Sequence, residues 1–196
     1  MTSKAHSIIG HDTDGSRPEH DWYPTPAEAT HQLLDQYDPE FWGERILEPA
    51  AGDGAMTEVL HFRFPRKYII KSDIEPRAPD IQELDFFSAH FGQVSSVITN
   101  PPFRFAEQFV RTALDTTRGM NGTVAMLCRL AFLESKRRKV LFEETPLKRV
   151  HVFSWRVPMW RNGIVTGDGK GKMMAYAWYV WDWKHPADER PTLGWL

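Results

Sequence analysis

The chain has 196 residues, 41% of them apolar, which is enough to build one domain around a single large core. A net charge of −2 conceals two halves of opposite sign: residues 1–100 hold 8 Lys and Arg against 17 Asp and Glu, and residues 101–196 hold 16 against 9. No run reaches the ~18 apolar residues of a membrane span, and the start lacks the charged-then-apolar pattern of a secretory signal, so a cytoplasmic protein is expected, with an acidic half suited to a cationic small molecule and a basic half suited to phosphates.

Residues 1–20 are polar, rich in His, Asp, Ser and Gly, and without periodicity; they read as a disordered leader ahead of one domain over 21–196. His6, His11 and His20 lack metal-ligand spacing. In DWYPTPAEAT, Thr25 fits an N-cap, Pro26 a first helical position and Glu28 the far member of a capping box. A helix is therefore predicted from Pro26 to about Tyr37, burying Ala29, Leu33 and Leu34. Its start, just after Trp22 and Tyr23, presents free N–H groups that suit a carboxylate.

RILEPAAGDGAM follows. A strand from Arg45 to Leu47 delivers Glu48, and Gly52 and Gly54 permit a tight turn into a helix from about Ala55 to Phe62. The acid at the strand end argues against a pyrophosphate and for a ligand carrying positive charge. KYIIKSDIEP ends a second strand at Asp73, 25 positions after Glu48, near the spacing at which an acid meets ribose hydroxyls. IQELDFF places Asp85 at the end of a short third strand, where a carboxylate can accept from an adenine amine while Phe86 packs on the ring. VITNPPF ends a fourth strand at Asn100. Pro101 and Pro102 have fixed φ and no N–H, so the tip is stiff and its carbonyls stay out of helix or sheet. One planar amino group can donate to Asn100 and to a neighbouring carbonyl while Phe103 stacks on the plane that carries it. Singly, each acid reads as a solvated loop charge; together, the ends of strands in an open α/β sheet are where ligands bind.

An amphipathic helix carrying Phe105, Phe109, Val110, Ala113 and Leu114 comes next, then a buried strand, GTVAMLCRL. It contains the only cysteine, Cys128, expected as a buried thiol. A helix through Lys136, Arg137, Arg138 and Lys139 runs to about Glu143 and stops before Pro146. RVHVFSW is a sixth strand, a glycine-rich basic loop occupies 162–172, and AYAWYVWDW is a long aromatic strand. The tail TLGWL reads as an edge strand or hairpin. The loop fits neither Walker A nor G-x-G-x-x-G spacing. Arg104, Arg129, Lys136, Arg137, Arg138, Arg161, Lys170 and Lys172 are the candidate nucleic-acid contacts, and Trp160 the candidate stacking residue. Trp155, Trp178 and Trp181 read as core.

The order DWYPTP, ILEPAAGDG, SDIEP, LDFF, TNPPF resembles the amino-methyltransferases that use S-adenosylmethionine, and most of all the N6-adenine DNA methyltransferases of phage and prophage type. The similarity continues through MLCRLAFLES, VHVFSWRVPMW and AWYVWD. It implies a Rossmann-like class I methyltransferase fold, a seven-stranded, mostly parallel sheet with helices on both faces. It further implies that Tyr23 and Thr25 hold the methionine carboxylate, that Glu48, Pro49, Ala50 and Gly52 line the methionine, and that Asp73 and Ile74 meet ribose and adenine. Asp85 and Phe86 would recognise the cofactor's adenine, Asn100 would also meet the cofactor, and Asn100, Pro101, Pro102 and Phe103 would hold the target base. The implied partner is DNA, with no metal. RNA bases, cytosine N4 and a protein glutamine amide are alternative acceptors, and an inactive nucleic-acid-binding subunit is the alternative of another class. No separate target-recognition domain is expected. Reading would fall to segments 103–106, 129–139 and 158–172 or to a second subunit, a homodimer being the assembly considered, and a short or relaxed recognition sequence is predicted.

Overall fold

The computed structural model describes residues 22–167, 171 and 173–196. The predicted leader at 1–20, Lys170 and Lys172 lie outside the described residues.

Among the described residues eight strands form one sheet: β1 Arg45–Glu48, β2 Tyr68–Asp73, β3 Gln82–Glu83, β4 Ser96–Thr99, β5 Thr123–Arg129, β6 Leu147–Val152, β7 Tyr176–Asp182 and β8 Thr192–Trp195. Their spatial order is β3-β2-β1-β4-β5-β7-β6-β8. All pairings are parallel except those of β7, which runs antiparallel to both β5 and β6. The expected seven strands become eight because TLGW pairs parallel with β6, which excludes a hairpin and makes it the sheet edge. The chain has a Rossmann-like topology, an α/β fold of mostly parallel strands.

Side-chain alternation along the central strands builds two cores. Leu47, Val97, Val124, Met126 and Cys128 face α3 (Ala106–Arg118) and α4 (Lys136–Glu144), which contribute Phe109, Val110, Ala113, Leu114 and Leu141. Ile46, Ile98, Ala125 and Leu127 face α1 (Ala27–Leu34) and α2 (Ala55–Arg63), which contribute Ala29, Leu33, Leu34, Met56, Val59 and Leu60. Along β7 the two cores alternate residue by residue, Trp178 to one side and Trp181 to the other. Both indoles are satisfied, Trp178 Nε1–H donating to Ala29 C=O and Trp181 Nε1–H to Thr145 Oγ1. Trp155 is only half-buried; its N–H donates to Gln32. Cys128 is fully buried, and desolvation pushes its thiol far above the usual range.

The capping box at Thr25 and Glu28 does not form. Pro26 is the N-cap of α1, and the helix ends at Leu34, followed by a tighter turn through Tyr37. Glu28 accepts from Gln32, and the Thr25 hydroxyl points away from the helix amides to a partner described below.

Candidate active site

Parallel pairing aligns the ends of three strands. Leu47 lies opposite Ile70 on one side and Val97 on the other, so Glu48, Asp73 and Asn100 emerge side by side. They line a cleft of about 400 Å³ together with Tyr23, Asp85 and Phe103. That volume falls in the range of small-molecule and cofactor sites.

The loop after β1 is held by the acid at the end of β2. Gly52 N–H donates to Asp73 Oδ2 at 2.7 Å, and Glu75 N–H to Oδ1 at 2.8 Å. Gly52 has φ +56°, and a Cβ there would enter the indole of Trp22. Trp22 lies over this loop, with the Arg77 guanidinium 5.2 Å from its ring and its C=O accepting from Asn162 N–H at 2.8 Å. Its role was not legible beforehand; the only signal was an aromatic directly ahead of Tyr23.

Glu48 is 2% exposed, and its Oε2 has no hydrogen-bond partner. Burial, reinforced by nearby Asp73 and Asp53, holds this carboxyl well above the usual carboxylate range, while the Thr57 backbone N–H works in the opposite direction. Burial also raises Asp73, against its two backbone donors and Arg77. A buried acid surrounded by acids is complementary to a cation.

Asn100 is oriented by the segment ahead of α1. Its Nδ2 donates to Tyr23 C=O and to Thr25 Oγ1, both at 3.1 Å. A backbone carbonyl can only accept, so the nitrogen side of the amide must face Tyr23 and the oxygen side must face away. That oxygen, Oδ1, is buried and has no partner. Phe103 is ringed by Tyr23 (centroids 5.4 Å apart), Tyr176 (5.9 Å) and the Arg129 guanidinium, 4.6 Å from its centroid. Burial raises the Tyr176 hydroxyl to about 12.

The remaining predicted positions divide. Pro49, Ala50, Pro101, Pro102 and Ile74 line the cleft, Ile74 half-exposed. Asp85 lies two residues beyond β3 and spends both oxygens locally, on Phe87 N–H and Ser88 Oγ. Phe86 is 4% exposed, packed on Phe109 beneath the cleft, and Phe87 is the more exposed ring beside it. Arg104 lines both the cleft and an adjoining shallow groove with Arg137. Lys136 and Arg137 are exposed, Arg137 pairing with Glu107 at 2.9 Å. Arg138 turns inward. Its Nε donates to Phe132 C=O at 2.7 Å, a second nitrogen reaches Ala131 and Glu134 C=O, and the guanidinium covers Phe132, so it fastens its own loop. Arg129 is half-buried, its guanidinium against the Phe103 ring. Arg161 is half-buried at the start of the turn Arg161–Gly163, and the Trp160 ring packs against Gly171 of its own loop.

No family model matches the chain, and no curated protein matches it by sequence. Solved structures do. A type I restriction-modification system methyltransferase subunit from Streptococcus thermophilus superposes with TM-score 0.60 at 12% identity, over 84% of this chain and 45% of that one. A putative class I S-adenosylmethionine-dependent methyltransferase from Listeria monocytogenes gives 0.58 at 14%, over 88% and 65%. A putative hemolysin from Lactococcus lactis gives 0.52 at 13%, over 86% and 94%. This chain thus spans less than two thirds of the first two neighbours. At such identities the likeness shows the fold, and that fold is the Rossmann-like one of the class I methyltransferases.

Proposed function

We propose that this protein transfers a methyl group from S-adenosylmethionine to the exocyclic amine of adenine in DNA, giving N6-methyladenine. The observation that carries the reading is Asn100 Oδ1, a buried acceptor without a partner, whose direction is set by the two bonds on the other side of the amide. An acceptor fixed at the end of β4 beside an aromatic ring suits a flat ring bearing an amino group.

The residues present fit the methyl donor. Glu48 Oε2 is a buried acceptor for an ammonium, and Gly52 lets the backbone come close to a ligand. Each Asp73 oxygen keeps a lone pair for a ribose hydroxyl after its backbone bond. Asp85 and Phe86, with Phe87 beside them, line the end that would take an adenine. When bound, S-adenosylmethionine supplies an electrophilic methyl on a sulfonium.

The chain's own contribution is alignment and charge. An adenine amine is a weak nucleophile because its lone pair is delocalised into the ring. Accepting a hydrogen bond at Asn100 Oδ1 and another at the Pro101 carbonyl favours a tetrahedral nitrogen and stabilises the positive charge that develops there, a preorganised contact worth about 3 kcal/mol. Phe103 presents its π face to that charge. In duplex DNA the base must first leave the stack, at a cost of a few kcal/mol. DNA as the acceptor is further supported by Arg104 and Arg137 beside the cleft and by the restriction-modification role of one structural neighbour.

The test is a labelled-methyl assay on matched DNA, RNA and protein, followed by nucleoside analysis. N6-methyladenine in DNA is expected, and Asn100→Ala should bind DNA yet transfer nothing. Label on glutamine or cytosine, or none in any substrate, overturns the assignment.

A further inference from the structure

Three buried polar side-chain atoms of the cleft stand without a hydrogen-bond partner among the described residues: Glu48 Oε2, Asn100 Oδ1 and Arg129 Nε. The first two are acceptors and have roles in the function proposed above. The third is a donor, and nothing in that function uses it. Leaving a buried charged donor unpaired is costly, which makes it a marker for a ligand atom.

Arg129 is held in place independently of its Nε. It ends β5, opposite Tyr176 of β7 in the antiparallel register. Its guanidinium lies over the Phe103 ring, 4.6 Å from the centroid, with the Tyr176 hydroxyl nearby. A flexible cation serving the phosphate backbone would reach outward; this one is packed against the ring on which the target base would stack.

Resting on the reading that an amine is delivered to Asn100, we infer that Arg129 is a specificity-determining residue whose Nε–H donates to the ring nitrogen next to that amine. The pair Asn100 Oδ1 and Arg129 Nε then presents one acceptor and one donor, the complement of the exocyclic amine and the adjacent ring nitrogen along an adenine edge. Guanine carries O6 where adenine carries its amine, so it would set acceptor against acceptor at Asn100. On the edge that carries N1, guanine's N1–H would likewise set donor against donor at Arg129, whereas a phosphate contact would be indifferent to the base.

The experiment uses an oligonucleotide methylated at one adenine, with that adenine replaced by 1-deazaadenine or 7-deazaadenine. Each analogue keeps the amine and loses one ring acceptor. The wild-type protein should lose about tenfold or more in kcat/KM on one of the two, as expected for a hydrogen bond from a charged donor. Arg129→Lys keeps a cation near Phe103 but no Nε, and the penalty should shrink by about the same factor. Tyr176→Phe, which removes the hydroxyl beside the guanidinium, should shrink it in part and guards against a misfolded lysine variant. If neither analogue is penalised in the wild type, or if the penalty is unchanged in both variants, Arg129 does not read the base. A wild-type protein that methylates no adenine in any DNA removes the proposed function and this inference together, an outcome distinct from the other two.

Discussion

Asn100→Asp keeps an acceptor oxygen facing the cleft but replaces the nitrogen that holds it there. In the native protein Nδ2 spends both hydrogens, on Tyr23 C=O and Thr25 Oγ1. A carboxylate in the same pose sets oxygen against the Tyr23 carbonyl, while Thr25, a hydroxyl, can rotate to donate. One bond is thus lost and one buried acceptor is left facing another, at about 1–3 kcal/mol. For a chain of this length that is roughly 2–4 °C of melting temperature per kcal/mol. The carboxylate also relieves the mismatch by swinging away, which misplaces the acceptor, so kcat should fall by about 10²–10³. Protonating the introduced carboxyl restores one donor. Relative to the native protein, the variant should therefore recover activity and melting temperature as pH falls from about 8 to about 5.5, through the raised range of a buried carboxyl. Both quantities are read by thermal melts and single-turnover methyl transfer across that range. An Asp variant with native kcat and melting temperature at the alkaline end would show that the Tyr23 and Thr25 bonds do not orient Asn100.

Glu48→Gln removes a buried carboxyl whose folded pKa is raised by burial and by Asp73 and Asp53. Above the unfolded pKa the native state holds the extra proton, so the native protein loses stability as pH rises from about 4.5 through the raised value, and the variant should lose that slope in urea titrations. The same substitution should weaken binding of S-adenosylmethionine by about tenfold or more at neutral to alkaline pH by calorimetry. Arg138→Ala should lower the melting temperature by several degrees without changing DNA affinity. Arg137→Ala should do the reverse and reduce the salt dependence of binding. His151 is buried against Tyr37, with its ring depressed to about 4 by desolvation and by Arg149. The unfolded chain takes up the proton first, so stability should decline as pH falls from about 6.5 towards 4, and His151→Asn should flatten that decline.

The strand ends were legible because a parallel sheet writes itself in sequence as short apolar runs stopped by a polar residue. ILE to Glu48, IIKS to Asp73 and VIT to Asn100 all carry that signature. The glycine turn at Gly52 was legible for the same reason, since its φ admits little else. What escaped was the choice among partners that one pattern allows. Thr-x-x-Glu reads as a cap whether the hydroxyl bonds the helix or, as here, an amide 75 residues away. Arg137 and Arg138 are neighbours in one basic run, and only the carbonyls of the turn before α4 draw the second inward. Phe86 and Phe87 are a doublet whose two rings the sequence cannot order; both touch Phe109 of α3, and only the first is buried in the core. The eighth strand was readable as a strand, but its direction depended on the return path of residues 183–191.

The short stretch from Trp22 to Thr25 touches two subsites at once. At one end its indole rests on Gly52; at the other its carbonyl and hydroxyl grip Asn100. Donor and acceptor molecules would then be greeted by the same short segment, and neither arrival is mechanically private. A lesion such as Trp22→Ala should raise both Michaelis constants together, with initial-rate plots converging left of the axis, the kinetic mark of two substrates that meet in a ternary complex.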